Sequence, residues 1–159
     1  MKYTVVCVGK IKEKFYAQAV EEYVKRLLRY GKIEIIEVAD EETPDQASET
    51  VNRMIKDKEG ERILAQIKED TYVIALAIEG QMLDSEELAE KMEKLAISGI
   101  SHIVFVIGGS LGLSEDILKR SDLLLSFSDF TFPHQLMRVI LLEQIYRSFR
   151  IIRGEPYHK

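Results

Sequence analysis

Short blocks of consecutive apolar residues alternate along the chain with longer segments whose apolar positions recur every three or four residues. Tyr3 to Val8 is apolar and β-branched and reads as a strand. After Gly9, the set Phe15, Ala19, Tyr23 and Leu27, with Val20, Val24 and Leu28, has helical spacing up to Gly31. Ile33 to Val38 predicts a second strand, and Ala39 to Ser48 an acidic loop around Pro44. A polar helix follows from about Thr50 to Ile67, with a sparse apolar face (Met54, Ile55, Ile63, Leu64, Ile67) and Gly60 weakening its centre. Tyr72 to Ile78 is a continuous apolar run, hence a buried strand, which Glu79 and Gly80 close as a turn. Asp84 or Ser85 caps the next helix, with Glu87 completing a capping box and Leu88, Met92, Leu95 and Ala96 facing inward, and Gly99 ends it. His102 to Ile107 is a further buried strand. Beyond the Gly108-Gly109-Ser110-Leu111-Gly112 turn come a short helix capped by Ser114, a strand from Leu123 to Phe127, and a long helix from Pro133 to about Ile152.

Strands buried on both sides and separated by helices predict one α/β domain over residues 1–159, with an open, mostly parallel sheet and helices on both faces. Ligands in such folds sit at the carboxyl ends of strands. Three of those ends are rich in special residues: Ala77 to Gly80, Gly108 to Gly112, and Ser126 to Pro133. Leu136, Met137, Val139, Ile140, Leu141 and Leu142 leave the last helix little polar face, so it needs a cover besides the sheet. A second copy of the chain, meeting Leu141 and Leu142, is the expected cover, which makes the protein a homodimer; the competing reading is a central helix covered on all sides by its own chain.

The longest apolar runs are about seven residues, far short of the roughly 20 needed to span a bilayer, and no membrane contact is expected. Tyr3 to Val8 is also too short for a signal-peptide core. The lone Cys7 cannot form an internal disulfide and suits a reducing, cytoplasmic setting. Net charge is −5 but unevenly spread: residues 1–32 carry +5, residues 33–132 carry −13 and residues 133–159 carry +3. If the two basic termini meet, they make a local anion-binding surface on an acidic body; charge scattered over solvated helices is the bland alternative.

The glycine turn after Ile107 lets backbone amides approach a ligand, yet lacks the Lys-Ser/Thr of a phosphate loop and the GxGxxG spacing of a dinucleotide fingerprint. As a bare pattern it is equally a tight structural turn. Phe127, Phe130 and Phe132 crowd the loop before the last helix, where they form either an apolar pocket or a satellite cluster that pins the loop. Pro133 and Thr131 also belong to ordinary helix-start grammar. His134 and Arg138, four residues apart, share a helical face. The tail Arg153-Gly154-Glu155-Pro156-Tyr157-His158-Lys159 mixes cations, an aromatic ring and an imidazole, residue types that grip phosphates and stack on bases; a frayed terminus is the default for such a composition. Histidines at 102, 134 and 158 with one cysteine make no metal-ligand spacing, and no metal is expected.

Several of these motifs occur together: Val-x-Val-Gly-Lys near the N-terminus, Val-Ile-Gly-Gly-Ser-x-Gly-Leu at 106–113, Leu-Ser-Phe-Ser at 125–128, Thr-Phe-Pro-His-Gln at 131–135 with Arg138, and the terminal Arg-Gly-Glu-Pro-Tyr-His-Lys. In this combination the chain strongly resembles the bacterial large-subunit ribosomal RNA pseudouridine N3-methyltransferases, small members of the SPOUT class. The resemblance implies a C-terminal trefoil knot, a homodimer, and S-adenosylmethionine bound at the knot by Leu76, Gly108, Phe127, Ser128, Asp129, Phe130, Thr131 and Phe132. It implies methyl transfer to N3 of a pseudouridine in large-subunit (23S) rRNA on the assembled ribosome. An imide nitrogen attacks only once its proton is lost, so Arg138 is expected to stabilise the developing anion and His134 or His158 to move the proton. Arg153, Tyr157 and Lys159 are expected on the RNA. A non-catalytic ribosome-binding or assembly factor of the same fold would need the basic ends but no intact donor pocket.

Overall fold

The computed structural model describes all 159 residues. Strands β1 (Lys2–Val8), β2 (Lys32–Val38), β3 (Tyr72–Met82), β4 (His102–Ile107) and β5 (Leu123–Ser126) form one parallel sheet in the order β2-β1-β4-β3-β5. Parallel neighbours require long crossovers, and helices supply them: α1 (Lys14–Leu27), α2 (Glu49–Leu64), α3 (Ser85–Ile97) and α4 (Glu115–Arg120), with α5 (His134–Ile152) closing the chain. Side chains alternate across the sheet. Tyr3, Val5, Cys7, Ile103, Phe105 and Ile107 pack with α1, α3 and α5, whereas Val6, Val8, Val104 and Val106 pack with Ile63 of α2 and Ile117 of α4. Both faces are therefore dry, which is why β1 and β4 read as unbroken apolar runs rather than as alternating ones.

Several boundaries differ from the pattern-based expectation. Glu79 and Gly80 do not end β3. The strand leaves its pairing after Leu76, makes an excursion through Ala77 to Gly80, and rejoins β5 at Gln81 and Met82. Glycine makes this close return possible, because a Cβ at position 80 would lie 2.6 Å from the carbonyl carbon and oxygen of Leu124. In α3 the Asp84–Glu87 capping box forms as expected, but Ala89 rather than Ala96 turns inward. The last helix starts at Pro133 with no side-chain cap from Thr131, and β5 stops one residue before Phe127.

The covering of α5 is also corrected. Leu141 and Leu142 are wholly buried by their own chain, in the core shared with α1 and α3. Two flanking helices and the sheet cover the side assigned to a second copy, leaving Leu136, Ile140 and Ile151 half-exposed on the outer side.

Gly60 has a different role from the one helix propensity gives it. It is buried where α2 meets α4, and a Cβ there would overlap the Oγ of Ser114 and come within 3.1 Å of its Cβ. Ser114 is itself buried and caps α4 by accepting a hydrogen bond from the Ile117 amide. Propensity favours Gly60→Ala by about 1 kcal/mol, while overpacking costs about 1–3 kcal/mol. Gly60→Ala is therefore expected to lower the denaturation midpoint in urea, and a raised midpoint would refute this account of the contact.

Candidate functional site

A cavity of about 950 Å³ opens at the carboxyl ends of β3, β4 and β5. Its walls come from three irregular segments: the excursion Leu76 to Glu79, the turn Ile107 to Leu113, and the loop from Ser126 to Pro133, closed by His134 and Met137 of α5. Half of the lining residues are apolar, and the volume lies within the range of drug-sized ligands. Each segment has a local reason for its shape. Gly80 allows the first to return to the sheet. The second is pinched by the Gly112 amide donating to the Gly109 carbonyl at 3.0 Å, with Gly112 at φ +89°. In the third, the Ser128 hydroxyl accepts from the Phe130 amide at 3.0 Å, while the Ser126 hydroxyl donates to the Ser128 carbonyl at 3.2 Å.

Leu76, Gly108, Phe127, Ser128, Phe130, Thr131 and Phe132 all stand on this lining. Asp129 does not: it is exposed and is not part of the cavity wall. Phe127 packs against the main core and fixes the loop, whereas Phe130 is 78% exposed. The three phenylalanines thus divide between pinning the loop and offering an apolar rim. Sequence reasoning missed Leu118 and Met137, whose spacing marks them only as helix-packing residues, and Lys56, which arrives from α2 with no local signal.

The sheet order reverses between β1 and β4, yet the cavity lies over β4, β3 and β5. The crevice at the reversal is filled by the acidic loop after β2. Arg62 donates to the Ala39 carbonyl and to Glu41, and the Glu41 amide donates to Glu59 Oε2 at 3.0 Å. Glu59 is 4% exposed, and its Oε1 has no partner and lies 2.8 Å from where a Cβ on Gly109 would stand. It therefore supports the glycine turn from below. Burial pushes its carboxyl above the ordinary value, and the neighbouring Asp40 adds to the shift.

His134 borders the cavity at the start of α5. Arg138 does not reach it. One turn further on, its side chain is 2% exposed, ion-paired to Glu37 at the end of β2 and donating to the Gly9 carbonyl at 3.2 Å. The shared helical face thus does not make a His–Arg pair over the cavity, because α5 buries that face against β1 and β2. Glu37 also accepts from the Ile11 amide, and Gln135 accepts from the amides of Lys12 and Glu13, so these contacts fasten the start of α5 to the segment after β1. Nearby Cys7 is buried, and burial pushes its thiol up to about 11, which leaves it protonated and unreactive.

The tail is folded rather than frayed. Tyr157 packs edge-on against Tyr146, ring centroids 5.0 Å apart, donates to Glu143, and carries the Arg147 guanidinium 4.7 Å above its ring. Burial raises the Tyr157 phenol, so it stays a donor. His158 Nδ1 lies 3.1 Å from Arg147 and its Nε2 3.6 Å from Glu86. Arg153 sits over Tyr30, its guanidinium 4.9 Å from the ring centroid, and Lys159 is exposed. None of Arg153, Tyr157, His158 or Lys159 lines the cavity of its own chain. No group of three or more His, Cys, Asp or Glu side chains is arranged to hold a metal ion, and no helix is long and apolar enough to cross a membrane.

A family model described as "Predicted SPOUT methyltransferase" matches residues 1–158. Curated relatives align with this chain from end to end. The ribosomal RNA large subunit methyltransferase H of Bifidobacterium adolescentis is 62% identical over 159 residues, all of both chains. Its namesakes from Alkaliphilus oremlandii and Bifidobacterium animalis subsp. lactis are 58% and 57% identical over the same full length.

The environment of Glu59, faced by Asp40, Glu41 and Arg62, gives a test by pH. A carboxyl whose folded pKa is raised above its unfolded value favours the fold at low pH and loses that contribution as pH rises through the folded value. Glu59→Gln keeps an acceptor for the Glu41 amide and removes the buried charge. Its thermal midpoint should exceed that of the parent at neutral pH, and the gap should close once pH falls below the ordinary value of 4.5. A gap independent of pH would show that Glu59 is not the titrating group.

Proposed function

This chain belongs to the SPOUT methyltransferase family, and from that premise we propose that it transfers a methyl group from S-adenosylmethionine to N3 of a pseudouridine in large-subunit ribosomal RNA, on the assembled ribosome in the cytoplasm. The carrying observation is the convergence of the glycine turn, the aromatic loop and the β3 excursion on one cavity, in a chain that aligns end to end with relatives named for that RNA. The family implies a trefoil knot in the C-terminal part of the chain, a rare exception among folds.

The cavity fits the donor. Its apolar half (Leu76, Phe127, Phe132 and Leu113 among others) suits a heterocycle and a thioether, and the exposed backbone around Gly108 to Gly112 offers polar groups that no side chain obstructs. Bound there, S-adenosylmethionine supplies an electrophilic methyl carbon on a sulfonium. The protein must remove the imide proton and hold the nitrogen in line with that carbon. His134 borders the cavity and is assigned the proton. Arg138 is assigned a positioning role: its pair with Glu37 fixes the first turns of α5 and, with them, the imidazole.

Charge for the developing imidate then has to come from elsewhere. The tail carries it, on Arg153, His158 and Lys159, but the tail lies at the far end of a 19-residue helix, on the order of 28 Å from His134. A homodimer in which one copy's tail closes the other's cavity removes the mismatch. The half-exposed Leu136 and Ile140, together with the exposed Met82 and Phe130, support an apolar contact between copies beside the cavity mouth.

Incubating the protein with S-adenosylmethionine and large ribosomal subunits from cells lacking the gene should yield N3-methylpseudouridine by nucleoside mass spectrometry. Product at another atom, or none, would overturn the assignment. Gly108→Val should abolish donor binding in calorimetry while the fold persists, since a Cβ there would meet Leu113 at 2.9 Å and the Gly112 carbonyl at 3.0 Å and force the turn open. A chain lacking Tyr157 to Lys159 should bind the donor and be inactive. Mixing it with Gly108→Val should restore about one working site per heterodimer if tails act across the interface. An inactive mixture, with subunit exchange confirmed by mass spectrometry, would place the tail in its own chain's site.

A further inference from the structure

The two basic termini do meet. The end of α1 and the end of α5 lie side by side, tied by Tyr30 stacked on Phe149 with centroids 5.0 Å apart, and by the Tyr30 hydroxyl donating to Glu155 at 3.1 Å. Segments 22–32 and 143–159 together hold eight Lys or Arg residues and only three Glu, in a chain whose net charge is −5. The remainder of the molecule is therefore strongly acidic in net charge, and this end carries a local positive excess.

That charge is not cancelled locally. Glu155 alone serves both Arg150, at 2.7 Å, and Arg29, at 3.4 Å, while Glu22 and Glu143 engage Arg26 and Arg147. Lys25, Lys32, Arg153 and Lys159 are exposed and have no carboxylate within ion-pair distance. The arginines are held in place by tyrosine rings: Arg29 and Arg153 lie 5.1 and 4.9 Å from the Tyr30 centroid, and Arg26 lies 5.6 Å from that of Tyr146. Rigid cations on a shared aromatic base lose little freedom when a ligand arrives.

We propose that this end, where Lys25 of α1, Arg29 of the turn after it and Lys32 at the start of β2 stand beside the α5 terminus, binds the phosphodiester backbone of the RNA substrate flanking the reacting base. The proposal rests on the RNA methyltransferase reading and extends the footprint from the tail to α1, which that reading does not use. A polyanion fits because the free cations lie spread over two packed elements, and neither residue set lines the donor cavity. An anionic membrane fits less well: Leu28 is the one strongly exposed large apolar side chain among these segments, and interfacial binding needs a broad apolar face. On an otherwise acidic body, such an end also orients the approach to RNA.

The test uses the full chain and intact large ribosomal subunits, with binding measured against salt in the absence of the methyl donor, so that its result is independent of catalysis. Lys25→Glu combined with Lys32→Glu should weaken binding by about tenfold or more near 0.1 M salt and flatten the plot of log affinity against log salt by about 0.7 per lost phosphate contact. Donor affinity in calorimetry should not change, and Lys25→Arg with Lys32→Arg should bind as the parent does. An unchanged affinity and slope overturns the proposal, as does equal weakening by the Arg pair, which would point to packing rather than charge. Loss of binding to phosphatidylserine vesicles with ribosome binding retained would assign this end to a membrane instead. Failure of the parent to methylate any RNA would defeat the proposed reaction and still leave the salt slope to be read.

Discussion

Because helices cover the sheet on both faces, a polar group placed along β1 or β4 costs several kcal/mol unless it finds a partner inside the protein, as Thr4 does in His102 at 2.8 Å. Chemistry is thereby driven to the strand ends, where backbone is free of the ladder. The acidic loop after β2 fills the crevice at the strand-order reversal, and Glu59 braces the glycine turn from below. What remains open is the ground over β3, β4 and β5, where three irregular segments meet. Gly80 is the point on which this arrangement turns, since the β3 excursion exists only because its backbone passes against Leu124 without a side chain between them.

The buried pair of Arg138 and Glu37 sets the other wall. Arg138 is almost fully desolvated, which is costly for a guanidinium, and the ion pair together with the Gly9 carbonyl offsets that cost only because α5 is held in one register against β1 and β2. A cation in that position cannot swing out to a substrate without leaving Glu37 and Gly9 unpaired. In the proposed reaction it would therefore act by placing His134, and the positive charge needed at the base would come from the tail of a second copy.

Charge and aromatic rings act jointly at the opposite end. A small acidic protein gains little from diffuse electrostatic attraction to RNA, whereas a concentrated basic end would give both affinity and a preferred orientation in the proposed binding. The same segments carry part of the fold, because Tyr30, Tyr146, Phe149 and Tyr157 belong to or pack on the main core while the faces of the three tyrosines carry arginines. Folding of the tail and presentation of its cations are thus one event.

Apolar periodicity together with local caps located every strand and helix, because burial on both faces leaves unbroken runs such as Val104 to Ile107 and the caps at Asp84 and Ser114 are local hydrogen-bond devices. It also singled out the three segments that build the cavity, since glycine and aromatic clusters at strand ends are local features. Other features depended on contacts between residues distant in sequence. Gly60 reads as a weak helix centre until Ser114 is found against it, Arg138 reads as a free cation until Glu37 lies beside it, and Leu141 and Leu142 read as an interface until α1 and α3 cover them. Asp129, inside a loop whose neighbours line the cavity, does not line it. Local sequence fixes backbone preference and which residues seek burial; the partner that each buried face or charge finds is set only by the packing of the whole chain.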